Sequence, residues 1–270
     1  MNEKKSLKQT IQEDLIKTGY PTEIISANIM QQKGWGVAHN PSYWDNEENH
    51  SREFDIRAYK QWENSAKDFN LGVYIIAECK KSEKPWVFFT TNEKYLDSRL
   101  GRSIKARSMN KQLFTDHEHP TAIISNNELQ TIHHYFQKPK QARTFHEPLK
   151  QQEKSAHSQM IYTAVMATVK ATLFHYRENA LPNDWIGIFY PLIIFSGNLF
   201  EAFVNPDKSI DLTETSHIQL KFNYIQQEPS GNRSIWSANQ PFTIDVIHED
   251  YLDQFLGLIE VEHQIIANKI

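Results

Sequence analysis

Gly72-Val73-Tyr74-Ile75-Ile76-Ala77-Glu78-Cys79-Lys80 begins as a run of β-forming apolar residues and ends on two ionised ones. A run apolar at successive positions suits a central strand covered on both faces. Alternation puts Tyr74, Ile76, Glu78 and Lys80 on one face and Ile75, Ala77 and Cys79 on the other. A carboxylate and an ammonium beside such a strand are costly to desolvate unless something compensates them. Upstream, residues 52–60 read as a second strand with Phe54, Ile56 and Ala58 on one face and Glu53, Asp55 and Arg57 on the other. A divalent cation held by Asp55 and Glu78 would supply the compensation, and oxygen donors suit Mg²⁺ or Mn²⁺. Lys80 would then orient or deprotonate a water and stabilise developing charge.

Working outward, residues 7–17 read as a helix with Ile11, Leu15 and Ile16 on its apolar side, and Gly19-Tyr20-Pro21 ends it. Residues 23–33 form a second helix closed by Gly34. Residues 34–38 enter a short strand, 40–50 read as a loop, 86–91 as a strand and 121–125 as another. Residues 138–152 read as a polar connector. Beyond it lie a long helix over 157–178, a β-hairpin over 184–203 turning at Ser196-Gly197-Asn198, strands at 217–224 and 242–247, and a closing helix over 251–266. Mixed strands and helices argue for an α/β layered architecture.

The 270 residues, 39% of them hydrophobic and 23% charged, suffice for one large soluble domain, which speaks against wholesale disorder. The lone cysteine, Cys79, excludes an internal disulfide and a multi-thiolate zinc site. Residues 1–5 lead into polar sequence, unlike a secretory signal. The longest apolar stretch, 186–200, is broken by Gly187, Pro191 and Gly197 and is too short to span a bilayer, so a soluble, cytoplasmic protein is expected. The net charge of −4 is uneven. Residues 1–150 hold 22 Lys and Arg against 19 Asp and Glu, whereas 151–270 hold 7 against 14. A basic first half leaves phosphate attraction open.

Asp55 followed by Glu78-Cys79-Lys80 resembles the D…(D/E)-x-K signature of the PD-(D/E)XK nucleases. Gly34-Trp35-Gly36-Val37-Ala38, Ser51-Arg52-Glu53-Phe54-Asp55-Ile56 and Ile76-Ala77-Glu78-Cys79-Lys80-Lys81-Ser82-Glu83-Lys84-Pro85-Trp86 resemble the motif strands of stand-alone bacterial members. The likeness covers residues 19–90, and the naming proline is replaced by Phe54. It implies a restriction-endonuclease-like core, a mixed central β-sheet flanked by helices, over 1–150. A C-terminal α+β extension over 151–270 would enlarge that core without being independent. It also implies Mg²⁺-dependent phosphodiester hydrolysis leaving a 5′-phosphate, with DNA the commonest substrate. Asp55, Glu78 and the Cys79 carbonyl would be metal ligands, Lys80 would act on the water, and Glu23 would bind a second metal or a metal-bound water. Bacterial defence or genome maintenance would be its setting, with a homodimer or a defence-system protein as further partner.

Competing readings stand beside these. Asp55, Glu78 and Lys80 could form a surface ion-pair ladder, and Glu23 could serve the helix dipole alone. Glu53 reads as the partner of Arg52 or Arg57. Lys81, Lys84, Arg99, Arg102, Lys105, Arg107 and Lys111 would track a phosphate backbone, or form a solvated face. His117-Glu118-His119 and His133-His134 read as surface histidines, and Gln159 and Lys170 as polar groups of undetermined direction. A non-catalytic or partner-activated binding subunit and an RNA-directed nuclease are the other functional readings.

Overall fold

A computed structural model describes residues 6–64, 69–91, 103–109, 127–138, 140–148, 159–225 and 239–269. Helices α1 (Leu7–Lys17) and α2 (Tyr20–Gln32) open the chain, followed by β1 (Gly36–His39), β2 (Ser42–Asp45), β3 (His50–Glu53), β4 (Ile56–Asn64), β5 (Phe69–Lys81) and β6 (Trp86–Thr91). Next come β7 (Lys105–Ser108), α3 (Asn127–Gln130), α4 (His134–Gln137), β8 (Gln141–His146) and α5 (Gln159–Glu178). Strands β9 (Trp185–Ser196), β10 (Leu199–Val204), β11 (Ile210–Glu214), β12 (His217–Ile225) and β13 (Asn239–His248) lead through a 3-10 turn (Glu249–Tyr251) to α6 (Leu252–Lys269).

The structure is mixed α/β with one large sheet. Among the described residues it has eleven strands in the order β1-β4-β5-β9-β13-β12-β8-β6-β10-β11, with β7 added on β9. Strand β5 lies between antiparallel β4 and parallel β9, its register with β9 running from Asn70↔Trp185 to Lys81↔Ser196. Both neighbours and both faces are thus occupied, which accounts for the unbroken apolar run. Ile75, Ala77 and Cys79 pack with Ala27 and Met30 of α2 and with Phe255, Leu256 and Ile259 of α6. On the other face, Ile76 packs with Ala171 of α5, and Ile193 and Phe195 of β9 meet its Ile161, Val165 and Val169.

Several expectations need correction. The segment 184–203 is not a hairpin: β9 pairs with β5, β13 and β7, whereas β10 pairs with β6 and β11. At the bend, a Cβ on Gly197 would lie 2.5 Å from the Ser82 carbonyl oxygen. The glycine answers a crossing of two backbones, not a hairpin turn. Residues 40–50 are not only loop, since β2 pairs with β3 and Asp45 Oδ1 closes their turn on the Glu47 and Glu48 N–H groups. The polar connector contains β8, paired with β6. Residues 52–60 are two strands broken at Phe54 and Asp55. The break turns Phe54 to the α5 side, with Tyr43 and Ile76, while Ile56 and Ala58 face α2 and α6. Helix α1 forms under its Ser6–Gln9 capping box, but it buries none of its residues. Residues 121–125 lie outside the described residues.

Candidate metal site at the ends of β4 and β5

Glu78 and Lys80 share a face of β5 two residues apart, and Lys80 Nζ donates to Glu78 Oε1 at 2.5 Å. Past the end of the β4–β5 ladder, the Cys79 N–H donates to Asp55 Oδ2 at 2.6 Å. Glu23, in the first turn of α2, lies in the same neighbourhood, near enough for its carboxyl to feel the charges of Asp55 and Lys80. The structure thus puts Asp55, Glu78 and Lys80 together, with Glu23 nearby.

Its electrostatics are those of crowded carboxylates. Burial, with Asp55 and Glu23 adding to it, raises the Glu78 carboxyl to about 7 against the opposing pull of Lys80. Burial also raises Asp55, although the Cys79 N–H and Lys80 draw it down. Glu23 is raised by burial and by the Asp55 charge. Burial alone would lower the Lys80 ammonium, but Glu78 and Asp55 reverse this and hold it above its ordinary value. The Glu78 Oε2 atom is buried and has no hydrogen-bond partner. With all groups ionised, three carboxylates and one ammonium leave a charge of −2, the complement of one divalent cation. Asp55 and Glu78 offer oxygen donors of the kind Mg²⁺ or Mn²⁺ takes, one of them the unpartnered Glu78 oxygen, although Glu23, Asp55 and Glu78 do not bring three donors within 4.8 Å of one another.

The basic residues are placed differently. Lys105 is buried on β7, donates to the Pro241 carbonyl at 2.8 Å and lies 4.4 Å from the Phe242 ring centroid. Burial and the nearby Arg177 lower it to about 7, so it is no part of a solvated rim. Arg107 donates to the Tyr176 and Arg177 carbonyls at the end of α5. Lys81 donates to the Ile16 carbonyl at the end of α1, and the Lys84 N–H bonds Ser82 Oγ. Arg99, Arg102, Lys111 and the 117–119 triplet lie outside the described residues. Glu53 is exposed. Its neighbour Arg52 pairs with Asp45 and Glu48. Lys170 is held by Asp45 and Glu47, both at 2.9 Å. Gln159 opens α5.

His133 and His134 are buried, contrary to the surface reading. His134 Nδ1 meets Glu262 Oε2 at 2.8 Å, and its Nε2 meets Asp245 Oδ2 at 3.1 Å. Two carboxylates on two ring nitrogens require an imidazolium. Burial opposes that charge, yet Glu262 and Asp245 prevail and raise His134 to about 10. His263 Nδ1 donates to the Ile259 carbonyl, so its Nε2 accepts the Tyr190 hydroxyl at 2.8 Å. The Tyr190 oxygen accepts in turn from His133 Nε2 at 2.9 Å, and His133 Nδ1 accepts the Tyr135 N–H. Both outer histidines are thus neutral, with burial lowering His133 to about 3. The donor spacing of His133, His134 and Glu262 would admit a metal ion. However, the two imidazoles stack within 12° of parallel, so their in-plane lone pairs do not converge, and both His134 nitrogens are engaged. The arrangement acts as a charged fastener between α4, β13 and α6. A readable sign was the spacing of Ile259, Glu262, His263 and Ile266, which puts Glu262 and His263 on the buried stripe of α6.

No family model, curated protein or solved structure matches the chain. None of the described helices is long and apolar enough to cross a membrane.

Proposed function

We propose that the chain is a metal-dependent nuclease of the PD-(D/E)XK kind that hydrolyses phosphodiester bonds, with DNA as its substrate and the cytoplasm as its place of action. The observation that carries this reading is the placing of Asp55, Glu78 and Lys80 together at the ends of two neighbouring strands, with Glu23 close by on α2 and one Glu78 oxygen left unpartnered. In this reading α2, β1, β4 and β5 form the front of a restriction-endonuclease-like core. Asp55, Glu78 and the Cys79 carbonyl would hold Mg²⁺ or Mn²⁺, which when bound supplies Lewis-acid charge neutralisation.

The residues themselves divide the remaining work. Asp55 is fixed by the Cys79 N–H, so its free oxygen is presented to a ligand with little freedom to turn. Lys80 donates to Glu78 Oε1. Its ammonium, beside Glu78, would stabilise charge growing on the phosphate or orient the attacking water. Glu23, itself above the ordinary carboxylate range, would orient the attacking water or hold a second cation.

The test is incubation with linear, circular and single-stranded DNA and with RNA in Mg²⁺ or Mn²⁺, with EDTA and Glu78→Gln as controls. Cation-dependent cutting that disappears in Glu78→Gln is expected. Cutting that persists in EDTA, or in Glu78→Gln, would overturn the assignment. Cutting of RNA alone would replace DNA as substrate.

A further inference from the structure

Glu249, the first residue of the 3-10 turn and far from the motif in sequence, reaches the same corner of the fold. Glu249 Oε2 accepts the Thr22 hydroxyl at 3.0 Å, and Glu249 Oε1 accepts the Ser196 hydroxyl. Thr22 is buried and immediately precedes Glu23. Ser196 is the β9 residue in register with Lys81, and its carbonyl accepts the Ser82 N–H at 3.1 Å. One carboxylate therefore ties the first turn of α2 to the strand end that flanks Glu78 and Lys80.

We propose that Glu249 is a positioning residue of the metal site, holding Glu23 at a fixed distance from the β5 end through Thr22 and Ser196. The inference rests on the nuclease reading of Glu23, Asp55 and Glu78. Helix α2 has no side-chain cap at its start, where Gly19 precedes Tyr20 and Pro21. Its first turn needs outside support, and a carboxylate there also suits the positive end of the helix dipole. The neighbouring end of β9 is pinned by the backbone crossing at Gly197. A two-oxygen clamp between a helix start and a pinned strand end removes the hinge motion that would swing Glu23 away. Partners of this kind, one step removed from the ligands, commonly change metal affinity by about 10–100-fold when removed.

The experiment measures Mn²⁺ affinity by calorimetry in the full chain and in Glu249→Ala, Glu249→Gln, Glu23→Gln and Glu23→Gln/Glu249→Ala. Glu249→Ala should weaken Mn²⁺ binding by about tenfold, as much as Glu23→Gln does. The double variant should be no weaker than either single one, and Glu249→Gln, which keeps two hydrogen-bonding atoms, should restore most of the loss. If Glu249→Ala does not fold, Thr22→Val removes one anchor with little change of volume and should show a loss in the same direction. Wild-type Mn²⁺ affinity in a folded Glu249→Ala or Thr22→Val variant, or losses that simply add to that of Glu23→Gln, would overturn the positioning role alone. A wild-type chain that binds no Mn²⁺ would overturn the metal site itself, and the positioning role with it.

Discussion

The Cys79 N–H donates to Asp55 Oδ2 at 2.6 Å, so the first acidic residue of the site is bonded to the backbone of the strand that carries the second. Asp55 falls in the break between β3 and β4, where its carbonyl accepts the Asn40 N–H at 2.9 Å, and the side-chain bond to Cys79 adds a second tie. Its two oxygens can thereby divide between structure and ligand. Asp55→Asn retains an acceptor for the N–H but loses charge, whereas Asp55→Ala leaves the N–H unpaired at a cost of about 1–3 kcal/mol. Urea melts should show Asn close to wild type and Ala clearly below it, with Mn²⁺ binding weakened in both. Equal stability of the two variants would mean that the bond contributes nothing.

Lys80 and a cation compete for Glu78, because the ammonium holds Oε1 of the same carboxylate. Removing it raises the negative charge of the cluster. Lys80→Met should therefore bind Mn²⁺ at least as tightly as wild type, while turnover falls by about 10²–10³-fold through loss of charge stabilisation. Calorimetry and single-turnover cleavage separate the two effects. Weaker binding together with unchanged turnover would contradict the assigned role.

The His134 fastener carries a defined pH signature. Its folded pKa, about 10, exceeds the ordinary 6.5, so its contribution is complete below pH 6.5 and fades as pH rises toward 10. Asp245 and Glu262 are opposed by burial but held below their ordinary values by the neighbouring histidines, so their contributions are complete above about pH 4.5 and fade on acidification. His134→Asn leaves two buried carboxylates without their cation, which should cost about 3–5 kcal/mol. Melts from pH 4 to 10 should show the wild-type advantage greatest between 4.5 and 6.5 and shrinking above that range. An advantage independent of pH would sink the imidazolium.

Gly197 and Gly187 both lie on the β9–β10 path but face different obstacles. A Cβ at Gly197 meets the Ser82 carbonyl oxygen at 2.5 Å, whereas one at Gly187 meets Leu181 Cδ1 at 2.9 Å. Backbone cannot yield as a leucine tip can. Gly197→Ala should lose about 1–3 kcal/mol, and Gly187→Ala clearly less. Thermal melts giving the reverse order would contradict the crossing.

Strand β5 was legible because occupants on both faces and both edges demand an apolar residue at nearly every position, and no other element produces that run followed by Glu78 and Lys80. Glu23 was singled out only by the family resemblance, since a first helical turn suits a glutamate on the helix dipole alone. The β9–β10 segment misled because Gly197 and Asn198 have the composition of a turn, while pairing partners more than a hundred residues away decide which strands meet. Lys105 looked solvated because a cluster of basic residues says nothing of a proline carbonyl and a phenylalanine ring folding over one of them. His133 and His134 were misplaced for the same reason: their counter-charges, Asp245 and Glu262, come from distant elements that no local pattern connects. Glu249 could not be found at all, since its role exists only once α2 and β9 share a corner.

The parallel pairing of β5 with β9 also governs when the site can exist. A ribosome that has released the first 150 residues has already made Glu23, Asp55, Glu78 and Lys80, yet one edge of β5 still lacks its neighbour. That edge closes only after residue 196 emerges, and the anchor of α2 at Glu249 follows later still. A nascent or prematurely ended chain would therefore carry the whole motif without the assembled centre. The centre as proposed thus depends on β9 and on Glu249, which follow Glu78 by more than a hundred residues, so the motif by itself is not the site.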